Sequence, residues 1–283
     1  MATNRPDRQR PTRADDADHP REDRRARNRR ETLRELKAAA LDEVREHGPA
    51  AMSLRSVARR IGMSAPGLYR YVDSREELLT TLIADAYHDL ADHLRVADGH
   101  DAKASRPDDS PITDRPEPQP TYRVATSADV GDRARAVALA YRQWAVEHPR
   151  EFALLFGEPL PDYAAPVDGP TTQGMQRLGS ALAAPLVDAW HEGRLRVHPA
   201  LTDARLAGRL APMAEAVAGL GGHDVQHGVH ALLLTTWGRL HGQVALEVFG
   251  HHAWLFPDGC EQLFRAEVEA VLTDLGLIPL PSG

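Results

Sequence analysis

Ser53-Leu-Arg-Ser-Val-Ala-Arg-Arg-Ile-Gly-Met-Ser-Ala-Pro-Gly-Leu-Tyr-Arg-Tyr-Val72 carries the punctuation of two short helices around a tight glycine turn. Ser53 is a good N-cap, and Leu54, Val57, Ala58 and Ile61 recur at helical spacing, so one face of the first helix is apolar. Gly62 can take the left-handed conformation that closes a helix, Ser64 can cap the next one, and Pro66 is tolerated because it falls in a first turn. Leu68 and Val72 then face inward, which leaves Ala65, Gly67, Tyr69 and Arg70 toward solvent. This is the sequence form of a helix-turn-helix, a motif whose second helix enters a major groove.

Working outward, the pattern Leu33, Leu36, Ala40, Val44 predicts a supporting helix from Arg29 to the break at His47-Gly48-Pro49. Ser74 and Glu77 have capping-box spacing at the start of a longer helix carrying Leu78, Leu79, Leu82, Ile83 and Ala86. Residues 1–28 are polar and aperiodic, which predicts disorder, and their mixed signs favour a solubilising tail over a DNA-contacting arm. From about 97 to 132 the composition shifts to Pro, Asp, Ser and Thr, the mark of a flexible insertion. Helical patterns resume at Ala134–His148, Glu151–Phe156, Gln173–His191, Thr202–Ala218, Asp224–Phe249 and Asp258–Leu275. Strand-like alternation is scarce, so the expected fold is all-α: a three-helix head at 29–75 followed by a helical domain over 76–283.

Composition narrows the class. With 283 residues there is length for one large or two modest domains, and the single cysteine, Cys260, leaves no internal disulfide. The first residues lack an apolar leader, and no run of about 18 apolar residues follows, so a cytoplasmic chain is expected. The formal charge of −7 argues against nucleic acid until its distribution is read. Residues 1–95 hold 19 Lys and Arg against 17 Asp and Glu, whereas the remainder holds 15 against 24, so basic charge gathers at the motif. Arginine outnumbers lysine 32 to 2, which weakens any argument from an Arg-rich run alone.

Residues 29–90 resemble the DNA-binding domain of the TetR family of transcriptional regulators. The resemblance rests on Ser53, Arg55, Val57-Ala58, Ile61-Gly62, Ser64, Leu68-Tyr69, Tyr71 and Ser74-Arg75-Glu-Glu-Leu78; Val72 replaces a common aromatic and Arg75 the usual lysine. Trp237-Gly-Arg-Leu-His241-Gly242, with Tyr141-Arg-Gln-Trp144 and His148-Pro149, is similar to the C-terminal domain of one actinobacterial-type branch of that family, marked by Trp, three residues, His and Gly. The resemblance implies a ligand-responsive homodimer, most often a repressor, on a palindromic operator. It also implies a tyrosine at the groove edge at Tyr69, able to donate to phosphate and touch a thymine methyl, and a backbone-contacting position at Tyr71. From the residues themselves, Arg55 can fork onto a guanine edge, and Ser53 caps its helix and can bond a phosphate there. Arg75 is a cation in a first helical turn, where the dipole disfavours it, so a phosphate contact would explain it. The expected DNA-contacting set is Ser53, Arg55, Ser64, Ala65, Pro66, Gly67, Tyr69, Arg70, Tyr71 and Arg75.

The effector is harder to read. Trp144, Phe152, Phe156, Met175, Trp190, Met213 and Trp237 are scattered over helices among which the resemblance implies a ligand cavity, with His241 as a polar group in it. For any single one of them ordinary core is the preferred reading, and a pocket of this composition favours an apolar or aromatic small molecule. Stripes Leu233, Trp237, Leu240, Val244, Val248 and Phe264, Val268, Val271, Leu275 suit packing within one subunit or, as the resemblance implies, a twofold four-helix interface, with Gly238 and Gly242 allowing a close crossing. His223, His227 and His230 share helical spacing but lack an acidic or cysteine partner, so no metal is expected, and no cofactor is implied. No Gly-rich phosphate loop, G-x-S-x-G or H-E-x-x-H is present, so no catalytic residues are expected and a regulator outranks an enzyme. The alternative is a metal-dependent enzyme or hydrolase carrying a DNA-binding head, kept open by the histidines; a non-specific architectural binder fits the acidic distal half poorly.

Overall fold

The computed structural model describes residues 19–99, 129–157, 163–218 and 225–279. Within them the chain is helical, with no strand. The order is α1 His19–His47, α2 Leu54–Arg60, α3 Ala65–Leu68, α4 Arg75–Ala97, α5 Val130–Glu147, α6 Pro149–Phe156, α7 Pro170–His191, a 3-10 turn Pro199–Thr202, α8 Ala204–Ala218, α9 His227–Val248 and α10 Glu261–Asp274.

The head is one aliphatic cluster. Leu36, Ala40 and Val44 of α1 meet Val57 and Ala58 of α2, Leu68 of α3 and Leu78, Leu79, Leu82 and Ile83 of α4. Gly48 closes α1 with φ 81° and Gly62 closes α2 with φ 65°, a backbone region that side chains with a Cβ rarely adopt. α4 leaves this cluster and enters a second one, where its Leu90, Ala91 and Leu94 pack against α5 and α7. α4 and α7 come close at Gly174, where an added Cβ would lie 2.8 Å from Tyr87 Cβ. The far end of α4 is pinned by charge: buried Asp98 accepts from Arg133 Nε and Nη2 at 2.8 and 3.0 Å, and Arg133 Nη1 reaches Asp188 of α7. α10 lies across α5 and α9, where Arg142 pairs with Glu247, whose Oε1 also accepts from Cys260 N at 2.8 Å.

Several boundaries differ from expectation for identifiable reasons. α1 begins at His19, not Arg29. Pro20 is harmless in a first turn, Glu22 and Asp23 oppose the positive end of the dipole, and the arginines and Ala26 are good helix formers. Residues 19–28 of the expected disordered arm are therefore helical, and residues 1–18 lie outside the described residues. Of the expected insertion, 100–128 also lie outside them, but Ala97 belongs to α4, and Asp129 caps α5 by accepting from Gly131 N at 2.8 Å. The apolar stripes need a larger correction. Leu233, Val244, Phe264, Val268, Val271 and Leu275 are all buried in the subunit's own core, because α5, α9 and α10 pack against one another on that side. The outward face of α9 instead carries Leu234, Trp237 and Leu246.

Candidate functional site

The outer face of the head is set by three caps. Ser53 Oγ accepts from Ser56 N at 3.1 Å while Ser56 Oγ takes up Ser53 N, a capping box built on serine. Ser64 Oγ accepts from Gly67 N at 3.2 Å and starts α3, and Ser74 does the same for α4 through Glu77 N. With the turn fixed, Leu54, Val57, Leu68 and Val72 are buried, and Ser53, Arg55, Ser64, Pro66, Tyr69 and Arg70 are exposed on the other side. Tyr69 is 54% exposed, unusual for a tyrosine beside an aliphatic core, and leaves both ring and hydroxyl free to meet a partner. Ala65 and Gly67 are half-buried, and Gly67 is small for an internal reason as well: a Cβ there would lie 3.1 Å from Met63 Cγ.

Two expected contacts are engaged within the protein. Arg75 donates from Nε to Met52 O at 3.0 Å and from Nη2 to Pro49 O at 2.9 Å and Ala50 O at 3.3 Å. It therefore has a local structural reason to sit at the start of α4, since it satisfies carbonyls of the loop joining α1 to α2; no phosphate is needed to explain this cation. Tyr71 is half-buried, with the Arg29 guanidinium 5.2 Å from its ring centre, and Arg29 Nη1 donates to Arg70 O at 3.2 Å. Arg60 is also committed, bonding Glu43 and Glu46 of α1 at 3.0 Å each. That guanidinium holds both carboxyls below their usual range, with Ser56 the first contributor at Glu43. Glu43, Glu46 and His47 could otherwise converge on a cation, but their charge is already met by Arg60.

The second candidate site is an aromatic cluster around His241. Its imidazole is stacked on Trp237 at 4.7 Å and on Phe152 at 5.6 Å, with Phe156 edge-on at 4.9 Å. Tyr87, Tyr141 and Phe249 extend the cluster through Phe156 and Phe152. Tyr141 Oη lies 2.7 Å from His241 Nδ1. Burial raises the Tyr141 hydroxyl well above its ordinary value, with the Trp237 side chain opposing, so it stays protonated and shares a hydrogen bond with His241 Nδ1. Burial also lowers the His241 pKa, which favours the neutral ring. The cluster can thus offer flat apolar faces and a few polar atoms, the composition of a small-molecule site.

α6 joins the two sites. Its start is fixed by the corner at His148, whose N donates to Trp144 O at 2.8 Å before Pro149 opens the helix. Phe152 and Phe156 turn toward His241, while Leu154 packs into the head's aliphatic cluster and buried Glu151 pairs with Arg45 of α1. A second tie runs from Thr80 of α4 to the Tyr163 hydroxyl at 3.0 Å.

Of the expected effector residues, Phe152, Phe156, Trp237 and His241 come together. Trp144 does not join them: its indole N–H donates to Asp89 Oδ2 at 2.8 Å and its ring stacks on His148. Trp190 and Met213 pack against the body core, and Met175 is 53% exposed on α7. Sequence reasoning missed Tyr141 as a site residue, although it stands one turn before Trp144 in a stretch that carries the family resemblance. His223 lies outside the described residues. His227 Nε2 lies 3.0 Å from Thr202 O, and His230 is buried with neither ring nitrogen hydrogen-bonded among the described residues, where this pair does not converge on an ion.

Comparison with known proteins gives a consistent result. A family model described as bacterial regulatory proteins, tetR family, matches residues 36–82, and one described as tetracyclin repressor-like, C-terminal domain, matches 134–271. The chain is 32% identical over 237 residues to the HTH-type transcriptional regulator Rv1816 of Mycobacterium tuberculosis, covering 79% of this chain and 85% of that one. A crystal structure of the regulatory protein SCO4313 superimposes with TM-score 0.60 at 30% identity, covering 88% of this chain and 98% of that chain. A protein of unknown function from Rhodococcus sp. RHA1 shares the fold, with TM-score 0.57 at 16% identity over 86% of this chain and 94% of that one.

Proposed function

Since the chain belongs to the TetR family and is a DNA-binding transcriptional regulator rather than an enzyme, we propose that it acts as a homodimeric repressor released from a palindromic operator by a small apolar or aromatic effector. The reading side chains are Arg55, Tyr69 and Arg70, with Ser53, Ser64, Ala65, Pro66 and Gly67 bringing the backbone of α2 and α3 to the groove and Tyr71 and Arg75 holding that face in place. Exposure of Tyr69 and Arg55 beside a fully formed core supports this assignment.

One observation carries the twofold part. On α9, Leu234 and Leu246 are 44% and 40% exposed, and between them a Cβ added to Gly238 or Gly242 would meet nothing within 4 Å. Two glycines in a helix interior cost about 1 kcal/mol each against alanine. Among the described residues nothing approaches them, so a helix of a second copy crossing there gives them a purpose; Leu263 of α10 is exposed as well. Effector response rests on α6, which touches the aromatic cluster with Phe152 and Phe156 and the head with Leu154 and Glu151. A ligand that opens the cluster moves the element packed against the head. Among the described residues no helix is long and apolar enough to cross a membrane, in keeping with a regulator that meets DNA in the cytoplasm.

Selection of duplexes from a random pool tests this reading. The expected product is an inverted repeat whose half-sites are about 34–36 Å, or a multiple, apart. Leu234→Glu with Leu246→Glu should yield monomers in sedimentation and lose affinity for the selected duplex. Recovery of single, unpaired half-sites would overturn the twofold operator, and a dimer that survives both changes would overturn the α9 interface.

A further inference from the structure

α1 is longer than the head requires. Its first residue in the head's core is Leu36, yet the helix begins at His19, and Arg24 and residues 26–29 are exposed. A segment with no apolar face gains no helix stability from packing. Its composition is also unlike the chain's: Arg21 to Arg34 contains seven arginines against three acidic residues, in a protein whose formal charge is −7. Codon bias can favour arginine over lysine, but it does not set the local sign of charge.

The direction of the segment is fixed by Arg29. Its guanidinium lies 5.2 Å from the Tyr71 ring centre and donates to Arg70 O, so α1 passes the end of α3 at that point. From Arg29 back to His19 the helix continues beyond the reading face for about 15 Å at 1.5 Å per residue. That length matches roughly four phosphates of one strand at 3.4 Å each.

We propose that His19–Asn28 is a second DNA-binding element, a basic helix that lies along the phosphates flanking the half-site read by α2 and α3. Arg29 is the positioning residue that aims it, and Arg24, Arg25 and Arg27 supply charge. Phosphate contacts carry no sequence information, so the element extends the footprint and strengthens salt dependence without changing the site selected. The inference rests on DNA binding by the head, and its test separates the two.

Binding of the full chain is measured by fluorescence anisotropy over a KCl series, on a duplex selected from a random pool and on the same duplex trimmed to the palindrome. The wild type should prefer the flanked duplex. Arg24→Ala, Arg25→Ala and Arg27→Ala together should abolish that preference and reduce the slope of log K against log salt by up to about 0.9 for each phosphate no longer neutralised. Alanine preserves the helix, which circular dichroism checks, and the triple lysine variant should retain both preference and slope. Arg29→Ala should lose the flank preference while selecting the same site. An unchanged slope and preference in the triple alanine variant, or an equal loss on both duplexes, would overturn the proposal. A wild type that bound selected and scrambled duplexes alike would instead count against specific reading by the head.

Discussion

Ser53 to Arg75 supply the head's outer face from one run of sequence, whereas the aromatic cluster gathers Tyr87, Tyr141, Phe152, Phe156, Trp237 and His241 from α4, α5, α6 and α9. The buried cluster of the head holds only aliphatic side chains and Met52, with its capping serines outside; the aromatic cluster encloses a tyrosine hydroxyl and an imidazole among rings. This difference separates two kinds of recognition. A surface that reads DNA needs rigid backbone and exposed donors, and caps at Ser53, Ser64 and Ser74 supply the rigidity locally. A site that responds to a small molecule needs contacts that can be rearranged, so it is built where helices distant in sequence meet.

The most severe test of the separation is Phe152→Ala. The ring is fully buried and touches Tyr141, Phe156, His241 and Phe249, so its loss should cost about 3–5 kcal/mol. Thermal unfolding should register that loss, while the folded variant, below its transition, should still distinguish the selected duplex from a scrambled one. A folded variant without that discrimination would mean that α6 and the head are one unit, and the two regions could not be treated apart.

A smaller effect sharpens the head's side of the comparison. Arg75→Ala should lower stability by about 2 kcal/mol, because carbonyls of the loop between α1 and α2 lose a charged donor. Arg75→Lys should rescue little, since an ammonium lacks the planar fork. If chemical denaturation found stability unchanged and only DNA affinity reduced, Arg75 would be a phosphate contact after all.

What the sequence discloses follows the same division. Capping residues, left-handed glycines and apolar spacing act over a few residues, so the helix-turn-helix and the order of helices were legible. The role of Arg75 was not, because its acceptors at Pro49, Ala50 and Met52 lie more than twenty positions away. Periodicity also failed on α9, which is apolar on both sides: Leu233 and Val244 serve the subunit core, while Leu234 and Leu246 face out. Only the packing partner tells such faces apart. Trp144 and Met175 show the same limit, since an aromatic or a methionine at helical spacing carries no mark of whether it meets Asp89, solvent or a ligand.

The mildest effect concerns protons within the body. Burial lowers the pKa of His241, and burial followed by the neighbouring charge of His227 lowers that of buried His230, from an ordinary value of 6.5. Neither ring of the native protein therefore takes up a proton as readily as the unfolded chain does. Stability from these two groups is fully present above the unfolded value and is lost as pH falls through 6.5 toward the lower native values. The carboxylates of Glu43, Asp129, Glu247 and Glu269 all have lowered pKa values, so they remain charged in mildly acidic solution and do not obscure the effect. Melting temperature should accordingly fall from about pH 7.5 to about pH 5.5. The fall should be smaller in His230→Leu, which removes a buried ring without a hydrogen-bonding partner, and unaltered in head variants such as Arg55→Ala. Equal falls in wild type and His230→Leu would assign the acid sensitivity elsewhere, and a reduced fall in Arg55→Ala would move it to the DNA-reading face.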